Sequence, residues 1–350
     1  MERTSHKIAP TRPITIKDVA KQLGVSPSTV ARAMVDHPRI STEMKALVHK
    51  TASKMGYVLN SPARSMRGGS SNLIGLVIPD VQNDFYSSIA STLSRLLEDN
   101  NFQLVLSISN DSPDREAAQI ASLVSARVAG IIIVPTATPQ KATRNFLART
   151  KHVQLLRRIP DLRSDWFGLA DEGGIRSATQ HLIAFGHRRI AYIGGQETLT
   201  TGKARLKGFR SALNAAKLEI PARFIEIGPP GIASGFDSMS RLLTLKHRPT
   251  AVVMGSVGST LGALAACRAN HIRTPADISI VGFGDAPAFE WWGDGLSTLS
   301  FPVVDLAIDS ASWLIKRIKQ GEDAGVGRES VHGCSLVIRA STAKPSRLKS

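Results

Sequence analysis

TIKDVAKQLGVSPSTVARAM, the segment at residues 15–34, predicts two short helices joined by a tight turn. Gly24 interrupts the helical spacing of apolar side chains, and glycine in the left-handed conformation commonly ends a helix. Ser26 is a favoured N-cap for the second helix, which we place at about residues 26–34. Two helices joined in this way form a helix-turn-helix, whose second helix enters the major groove of DNA. Apolar residues Ile16, Val19, Ala20 and Leu23 define the inner face of the first helix.

The basic charge of the chain is concentrated around this motif. The net charge of the whole chain is +16, and residues 1–71 contain twelve lysines and arginines against four acidic residues. Clustered cations attract the phosphate backbone and supply affinity that is independent of sequence and weakened by salt. We therefore interpret this charge as part of a DNA-binding surface, and the short basic tail at residues 343–350 as solvated surface.

Length and composition limit the class of protein. At 350 residues, 42% of them hydrophobic, the chain has room for two or three domains. No apolar run is long enough to cross a bilayer and the N-terminus lacks the apolar core of a signal peptide, so we expect a cytoplasmic protein. Cys267 and Cys334 lie far apart and form no metal-binding spacing, which favours buried thiols. We expect no metal and no cofactor.

The residues after the motif complete a small N-terminal unit. Residues 42–55 carry apolar side chains at helical spacing, and Gly56 ends this third helix. Residues 60–67 are compatible with another short helix, with Asn60 as its cap and Pro62 in its first turn. A linker rich in glycine and serine follows. The expected boundaries are residues 1–58 for the helix-turn-helix headpiece and residues 59–72 for the hinge helix and linker.

From residue 73 onward, short apolar runs alternate with segments of helical character. This α/β pattern predicts parallel sheets with helices on both faces. The units are too many for one sheet, so we predict two lobes with a ligand cleft between them, outside the carboxyl ends of the strands. The apolar runs are Leu73–Ile78, Gln103–Ile108, Gly130–Val134, His152–Leu156, Arg189–Ile193, Ala251–Met254 and Ser279–Phe283.

Several short motifs, weak individually but specific in their common order and spacing, connect the chain to a known family. In the N-terminal region they are Thr15–Ala20, Gly24–Ser26, Thr29–Val30, Arg32, Gly56–Tyr57 and Ala63–Ser65. In the α/β region they are Ile74–Asp80, Asn83, Phe85–Tyr86, His181–Leu182, Gly186–Ala191, Ile193–Gly195, Arg205, Gly208–Phe209 and Ile280–Phe283. With these motifs the chain resembles LacI-type bacterial transcriptional regulators. The resemblance implies a homodimer that binds a near-palindromic operator in double-stranded DNA and a small effector, commonly a sugar or a related metabolite.

The resemblance also implies a periplasmic-binding-protein-like core at residues 73–342. In such a core the chain crosses between the lobes more than once. The tail after Arg339 lacks a leucine heptad, so we do not expect a coiled-coil tetramer. The expected lobes are an N-lobe at about residues 73–170 and 300–328 and a C-lobe at about residues 171–299 and 329–342.

Positions on the second helix match the base-reading positions of the family. Arg32 is the strongest candidate for a direct base contact, because a guanidinium binds guanine O6 and N7 bidentately. Pro27 offers no polar group, and Ser28 specifies bases weakly. Four further hydroxyl residues are expected to anchor phosphates or cap helices, which positions the protein without reading sequence. These residues are Thr15, Ser26, Thr29 and Ser41.

The segment around residue 66 matches the family's hinge helix, which orders on DNA. In a dimer, two such helices insert apolar side chains between base steps in the minor groove. Met66 stands at the inserting position, Ala63 is the small neighbour and Asn60 the cap. Leu59 and Pro62 depart from the family pattern, which leaves the exact start of this helix open.

Family correspondence also places a set of side chains around the effector. Arg205 is the expected charged contact to the ligand, with Lys203 as a possible assistant. Ser256 and Gly284 replace an asparagine and an aspartate that are common in the family and that hold neutral sugar hydroxyls. We therefore expect an anionic effector, such as a sugar acid or a phosphorylated sugar, although Asp285 is able to take the vacant role. The full expected set is Phe85, Tyr86, Asp171, Arg205, Ser256, Gly284 and Asp285.

An enzyme and a sugar-binding protein are the two alternative classes of function. An enzyme is disfavoured, because the glycine-rich run at residues 255–260 lacks the lysine and spacing of a phosphate loop and no catalytic constellation appears. A sugar-binding protein with the same core and no DNA-regulatory role is the main alternative. His181 and His187 are expected to serve packing or hydrogen bonding. The aromatic cluster after the last long apolar run favours core packing over ligand stacking, and its members are Phe289, Trp291 and Trp292.

Overall fold

The computed structural model describes residues 14–57, 71–321 and 327–345. The chain divides into two compact units, at residues 1–71 and 72–350, which are described separately. Within the described ranges, no helix has both the length and the hydrophobicity needed to cross a membrane.

The N-terminal unit contains three helices, α1 (Ile16–Leu23), α2 (Pro27–Ala33) and α3 (Thr42–Lys54). The predicted helix-turn-helix is confirmed: Gly24 has a φ of 65°, and Ser26 caps α2. Fully buried Val19, Val30 and Val48 contribute one residue from each helix to a common core. This core holds α2 with its opposite side free.

The larger unit consists of two α/β lobes, as predicted. The sheet of the first lobe has strand order β11-β5-β4-β3-β1-β2, and its pairings are all parallel. Helix α12 (Val303–Gln320), which comes late in the chain, also packs against this lobe. The elements of this lobe are β1 (Leu73–Ile78), α4 (Asp84–Asp99), β2 (Gln103–Ile108), α5 (Pro113–Ser125), β3 (Gly130–Ile133), α6 (Lys141–Leu147), β4 (His152–Leu155), β5 (Asp165–Leu169), α12 (Val303–Gln320) and β11 (Glu329–His332).

The second lobe repeats this plan. Its sheet has strand order β12-β10-β9-β8-β6-β7, parallel except for the antiparallel pair formed by β10 and β12. A 3-10 turn at Ala222–Phe224 precedes β7. The elements are α7 (Asp171–Ala184), β6 (Ile190–Gly195), α8 (Thr200–Ala215), β7 (Ile225–Gly228), α9 (Ile232–Leu243), β8 (Ala251–Met254), α10 (Val257–Ala269), β9 (Ser279–Phe283), α11 (Pro287–Glu290), β10 (Ser297–Ser300) and β12 (Ser335–Val337).

The last crossing between the lobes differs from the expected one. The sequence predicts that the chain enters the C-lobe at residue 329. In the structure, β11 pairs in parallel with β5, with Glu329 opposite Trp166 and His332 opposite Leu169. Backbone hydrogen bonding to the edge of the first sheet therefore keeps residues 329–332 in the first lobe. The chain enters the second lobe only between His332 and Ser335, where β12 begins.

A buried ion pair fixes α12 on the first sheet. Arg317 Nη1 donates to Asp165 Oδ2 at 2.6 Å, and both side chains have zero exposure. The other carboxylate oxygen of Asp165 accepts the backbone N–H of Arg328 at 2.9 Å. One carboxylate thus ties α12, β5 and the entry to β11 together.

Candidate DNA-binding and effector sites

Hydroxyl side chains define the start of α2. Ser26 Oγ accepts the backbone N–H of Thr29 at 3.1 Å, which satisfies one of the free donors at the helix N-terminus. The same oxygen lies 2.7 Å from Ser28 Oγ and 2.9 Å from Thr29 Oγ1. All three hydroxyls are therefore engaged with one another in the free protein.

Ser41 and Thr15 occupy the N-cap positions of α3 and α1. Ser41 Oγ accepts the backbone N–H of Met44 at 3.2 Å at the start of α3. At the start of α1, Asp18 Oδ2 accepts both the backbone N–H of Thr15 at 2.8 Å and its hydroxyl at 2.6 Å. Ser26 and Ser41 are confirmed as side-chain caps, whereas the Thr15 hydroxyl bonds Asp18 instead, and the contact of these residues with phosphate stays a prediction.

The outward side of α2 carries the expected reading residues. Val30 and Ala33 are buried, whereas Pro27, Ser28 and Arg32 are exposed. Within the described part of the chain, the Arg32 guanidinium makes no ion pair. An arginine that is held on a fixed helix and has no ion-pair partner in the protein is available to contact bases in a DNA groove. The hinge residues Asn60, Ala63 and Met66 lie outside the described residues, and their role stays a prediction.

A cavity of about 100 Å³, lined by both polar and apolar side chains, lies between the two lobes at the carboxyl ends of the strands. The first lobe contributes the ends of β1, β2 and β4 and the start of α4, and the second contributes the starts of α8 and α10 and the end of β9. Four expected effector residues meet here, namely Phe85, Tyr86, Arg205 and Ser256. The remaining lining residues include Asp80, Asn83, Asp111, Leu156, Arg157, Thr201, Val257 and Phe283.

Arg205 is oriented by three contacts. Its Nε donates to Asp171 Oδ1 at 2.6 Å, its Nη1 donates to the Gly255 carbonyl at 2.8 Å, and its guanidinium carbon lies 4.0 Å from the centre of the Phe283 ring. Burial raises the pKa of Asp171, and the neighbouring Arg205 charge opposes that rise. Asp171 does not line the cavity, so it acts behind Arg205. Lys203 is exposed and lies outside the lining as well.

A second arginine, not expected from sequence, faces the same cavity. Arg157 follows β4 and donates from both terminal nitrogens to Asp111, which follows β2; the Nη2 to Oδ2 distance is 3.2 Å. Both residues lie just beyond the carboxyl ends of apolar runs that form strands of the same sheet, which is the signal that would have found them. Burial raises the pKa of the nearby Tyr86 hydroxyl, which keeps it a protonated donor.

Gly284 and Asp285 line an adjoining cavity rather than the first one. The two cavities share Phe85 and Val257 as walls. Both oxygens of Asp285 are bound: Oδ1 accepts from Thr298 Oγ1 and Arg339 Nη1, each at 2.7 Å, and Oδ2 accepts from Arg339 Nη2 at 3.2 Å. Burial works to raise the pKa of Asp285, but these hydrogen bonds hold it below its usual value. The charge of Asp285 therefore already pairs with Arg339, and its contact with the effector stays a prediction.

The aromatic cluster divides. Phe289 is buried and Trp292 packs against the main core, as expected. Trp291 is 85% exposed, so the expectation of core packing is wrong for this residue, and it lines neither cavity. A turn of chain that buries its neighbours leaves this side chain in solvent.

Comparison with known proteins decides the family. The profile of bacterial regulatory proteins of the lacI family matches residues 15–60, and that of a periplasmic binding protein-like domain matches residues 179–342. The ribose operon repressor of Escherichia coli (strain K12) is 30% identical over 315 residues, which cover 87% of this chain and 93% of that protein. This chain belongs to the lacI family of bacterial regulatory proteins.

Other lacI-family proteins agree with this assignment. The HTH-type transcriptional regulator GalR of Salmonella typhimurium (strain SL1344) is 28% identical over 298 residues, covering 85% of this chain and 87% of that protein. In fold, the chain matches the Lac repressor dimer bound to operator and the anti-inducer ONPF with a TM-score of 0.81, at 24% identity, over 95% of this chain and 100% of that one. The resemblance inferred from the motifs is confirmed, and the chain is a DNA-binding transcriptional regulator.

Proposed function

We propose that this protein is a cytoplasmic, homodimeric repressor whose affinity for a near-palindromic operator is set by a small anionic effector. The observation that carries the proposal is the presence, in one chain, of an exposed reading helix and of a cavity between two lobes that contains two arginines. A helix-turn-helix alone accounts for DNA binding, and a two-lobed core alone accounts for ligand binding. Their combination supports a switch in which the ligand changes DNA affinity.

On the reading helix, Arg32 carries most of the direct specificity in this proposal. Its guanidinium is exposed, and bidentate pairing with guanine is worth about 1–3 kcal/mol of discrimination. Ser28 contributes less, because its hydroxyl is bound to Ser26 before DNA arrives. Pro27 supplies an apolar contact at most.

Arg32→Ala tests this assignment. We expect operator affinity to fall about 5- to 150-fold while affinity for unrelated DNA changes little, measured by electrophoretic mobility shift on the protein's own upstream DNA at two salt concentrations. The matched control is Lys50→Ala, at an exposed position of α3. It should leave unchanged the ratio of the affinity for operator to the affinity for unrelated DNA. Equal losses of operator and unrelated affinity in Arg32→Ala would contradict the reading role. A wild-type protein that prefers no DNA sequence would support the sugar-binding alternative instead.

Donors in excess at the cavity wall support an anionic effector. Nε of Arg205 is used by Asp171 and Nη1 by Gly255, while Nη2 has no acceptor among the described residues. Asn83 uses its oxygen to cap α4, which leaves its amide N–H groups as donors. The carboxylates of Asp111 and Asp171 are already paired with arginines, and Asp80 is exposed. A carboxylate or phosphate is the group that accepts from several such donors at once.

Calorimetry separates the effector classes. Gluconate, galacturonate and glucose 6-phosphate are the anionic probes, with glucose and galactose as neutral counterparts. We expect binding from the anionic set and a clear loss of that binding in Arg205→Gln. Tight binding of a neutral sugar with all of the acids inert would contradict the anionic class while leaving the DNA assignment intact.

A further inference from the structure

Four chain segments meet at the edge of the second sheet that lies opposite the effector cavity. They lead into the parallel strands β6, β8 and β9, or follow β12 at the end of the described chain. Hydrogen bonds join them: Arg189 Nε donates to the Arg248 carbonyl at 3.1 Å, and the N–H of Thr250 donates to the Arg189 carbonyl at 2.8 Å. The N–H of Ser279 in turn donates to the Thr250 carbonyl at 3.0 Å.

The C-terminal segment is fastened to the same edge. His187 Nε2 bonds the Ala343 carbonyl at 2.8 Å, and its Nδ1 lies 2.9 Å from Thr250 Oγ1. The N–H of Ala343 donates to Ser279 Oγ at 3.1 Å. These bonds place Lys344, the next residue, beside the loops before β6, β8 and β9.

This edge concentrates positive charge. Residues 186–189, 245–250, 268–278 and 341–345 contain seven lysines and arginines and one acidic residue, Asp277. Asp277 is paired with Arg273 at 3.1 Å. The other cations form no ion pair within the described chain. Of these six cations, Arg189 already bonds the Arg248 carbonyl, and we define the basic edge by the other five side chains, Arg188, Lys246, Arg248, Arg268 and Lys344.

Helix dipoles account for Arg268 but not for Arg188, Lys246 and Arg248. Helices α7, α9 and α10 end at this edge, and a cation in the last turn of a helix is stabilised by the carbonyl ends. Arg268 lies in the last turn of α10 and fits that explanation. Arg188, Lys246 and Arg248, however, lie beyond the ends of α7 and α9, at Ala184 and Leu243, where the dipole effect has fallen off.

We propose that the basic edge binds the phosphate backbone of duplex DNA without sequence preference, as a second DNA-binding surface distinct from α2. A protein partner would require an apolar centre for its interface. None of the large exposed hydrophobic side chains of the described residues falls in the four segments. A group of exposed or partly buried cations with no large exposed apolar side chain beside them suits a phosphate backbone, which presents dense charge at its surface.

The test uses the full-length protein, first saturated with a short operator duplex. A labelled duplex of unrelated sequence is then titrated at several salt concentrations, and in a second arm the operator carries long flanks. We expect the wild type to capture the second duplex or to bind the flanked operator more tightly, in a salt-dependent way. In Arg188→Gln/Lys246→Gln/Arg248→Gln, that gain should be lost, and the slope of log affinity against log salt should fall by about 3 for three lost phosphate contacts.

The matched control is Arg115→Gln/Lys141→Gln/Arg176→Gln. It removes the same charge from three exposed helix positions outside the basic edge. The control should keep the wild-type behaviour, and both triple variants should bind the short operator as the wild type does, which shows that they are folded. The proposal is overturned if the wild type shows no gain in either arm, or if the control triple loses as much as the basic-edge triple. The two arms distinguish flanking DNA from a second duplex as the source of the phosphates.

Discussion

Arg205 illustrates how one side chain serves structure and binding together. It bonds Asp171 at the start of α7 and the Gly255 carbonyl after β8, and it stacks on Phe283 at the end of β9. These partners come from three separate segments of the second lobe. The free Nη2 is thereby already held in place in the cavity, so that ligand binding does not have to restrict the side chain further.

Arg205→Lys should therefore weaken the effector even though the charge is kept. A single ammonium cannot reproduce a planar fork that holds Asp171 and Gly255 while it faces the ligand. We expect affinity for the best-binding sugar acid to fall roughly 10- to 100-fold, the range for a lost hydrogen bond to a charged group. Lys203→Gln, an exposed neighbour outside the cavity, should bind as the wild type does in the same calorimetric titration. Equal losses in the two variants would point to general electrostatics rather than to the Arg205 geometry.

The sequence predicted part of the effector site, and the residues that it missed share a reason. Phe85, Tyr86, Arg205 and Ser256, which family correspondence places around the effector, meet in one cavity. The Arg157–Asp111 pair joins two loops that are 46 positions apart, and sequence spacing does not reveal such a contact. Asp285 lines the adjoining cavity instead, and its carboxylate pairs with Arg339, which lies far along the chain.

Helix α12 depends on the buried pair between Arg317 and Asp165. Arg317→Met leaves a buried carboxylate without its cation, and we expect a loss of about 3–5 kcal/mol in the free energy of unfolding. Adding Asp165→Asn should recover part of that loss, because the amide oxygen still accepts from Arg328 and carries no charge. Urea unfolding measures both effects. Arg241→Met, which breaks the exposed pair with Glu226, is the control and should cost less than about 1 kcal/mol. A similar cost for the two arginine variants would contradict the role of burial.

The buried His187, which bonds Thr250 and the Ala343 carbonyl, predicts a pH dependence of stability. Burial lowers the pKa of His187, so the unfolded chain binds its proton more readily than the folded one. The stability from this residue is therefore full at neutral pH and falls as the pH drops below the ordinary histidine value of about 6.5. His187→Gln should flatten the decline between about pH 7 and 5.5, seen in urea midpoints measured across that range. An unchanged decline in the variant would assign the effect to other groups.

At the level of strands, the apolar pattern succeeded in the sheet interiors and failed at several other positions. All seven predicted runs correspond to strands. Six of them lie inside the sheets, where strands buried on both faces are continuously apolar, whereas β2 is a partly exposed edge strand. The missed β7 and β12 are partly exposed edge strands, and β11 alternates between exposed and partly buried residues. β5 was missed since its first residue is the buried Asp165, whose partner Arg317 lies far along the chain.

In the whole molecule, the cavity connects ligand binding to lobe arrangement. Phe85, Tyr86 and Arg157 come from the first lobe, whereas Arg205 and Ser256 come from the second. A ligand that touches both lobes favours one of their arrangements, and a change in operator affinity requires only that DNA binding favour one as well. Linkage then makes the effect reciprocal, so operator DNA changes effector affinity by the same factor.

Operator binding measured with and without effector tests the central claim most directly. Full-length protein is used to select duplexes from a randomised pool, and the affinity of the winning duplex is measured by fluorescence anisotropy with and without the best-binding sugar acid. The account predicts a near-palindrome with half-sites about 34–36 Å apart, and an affinity that changes with the acid in the wild type but not in Arg205→Lys at the same acid concentration. Selection of no sequence, or of an operator whose affinity ignores every ligand that the cavity binds, would contradict it.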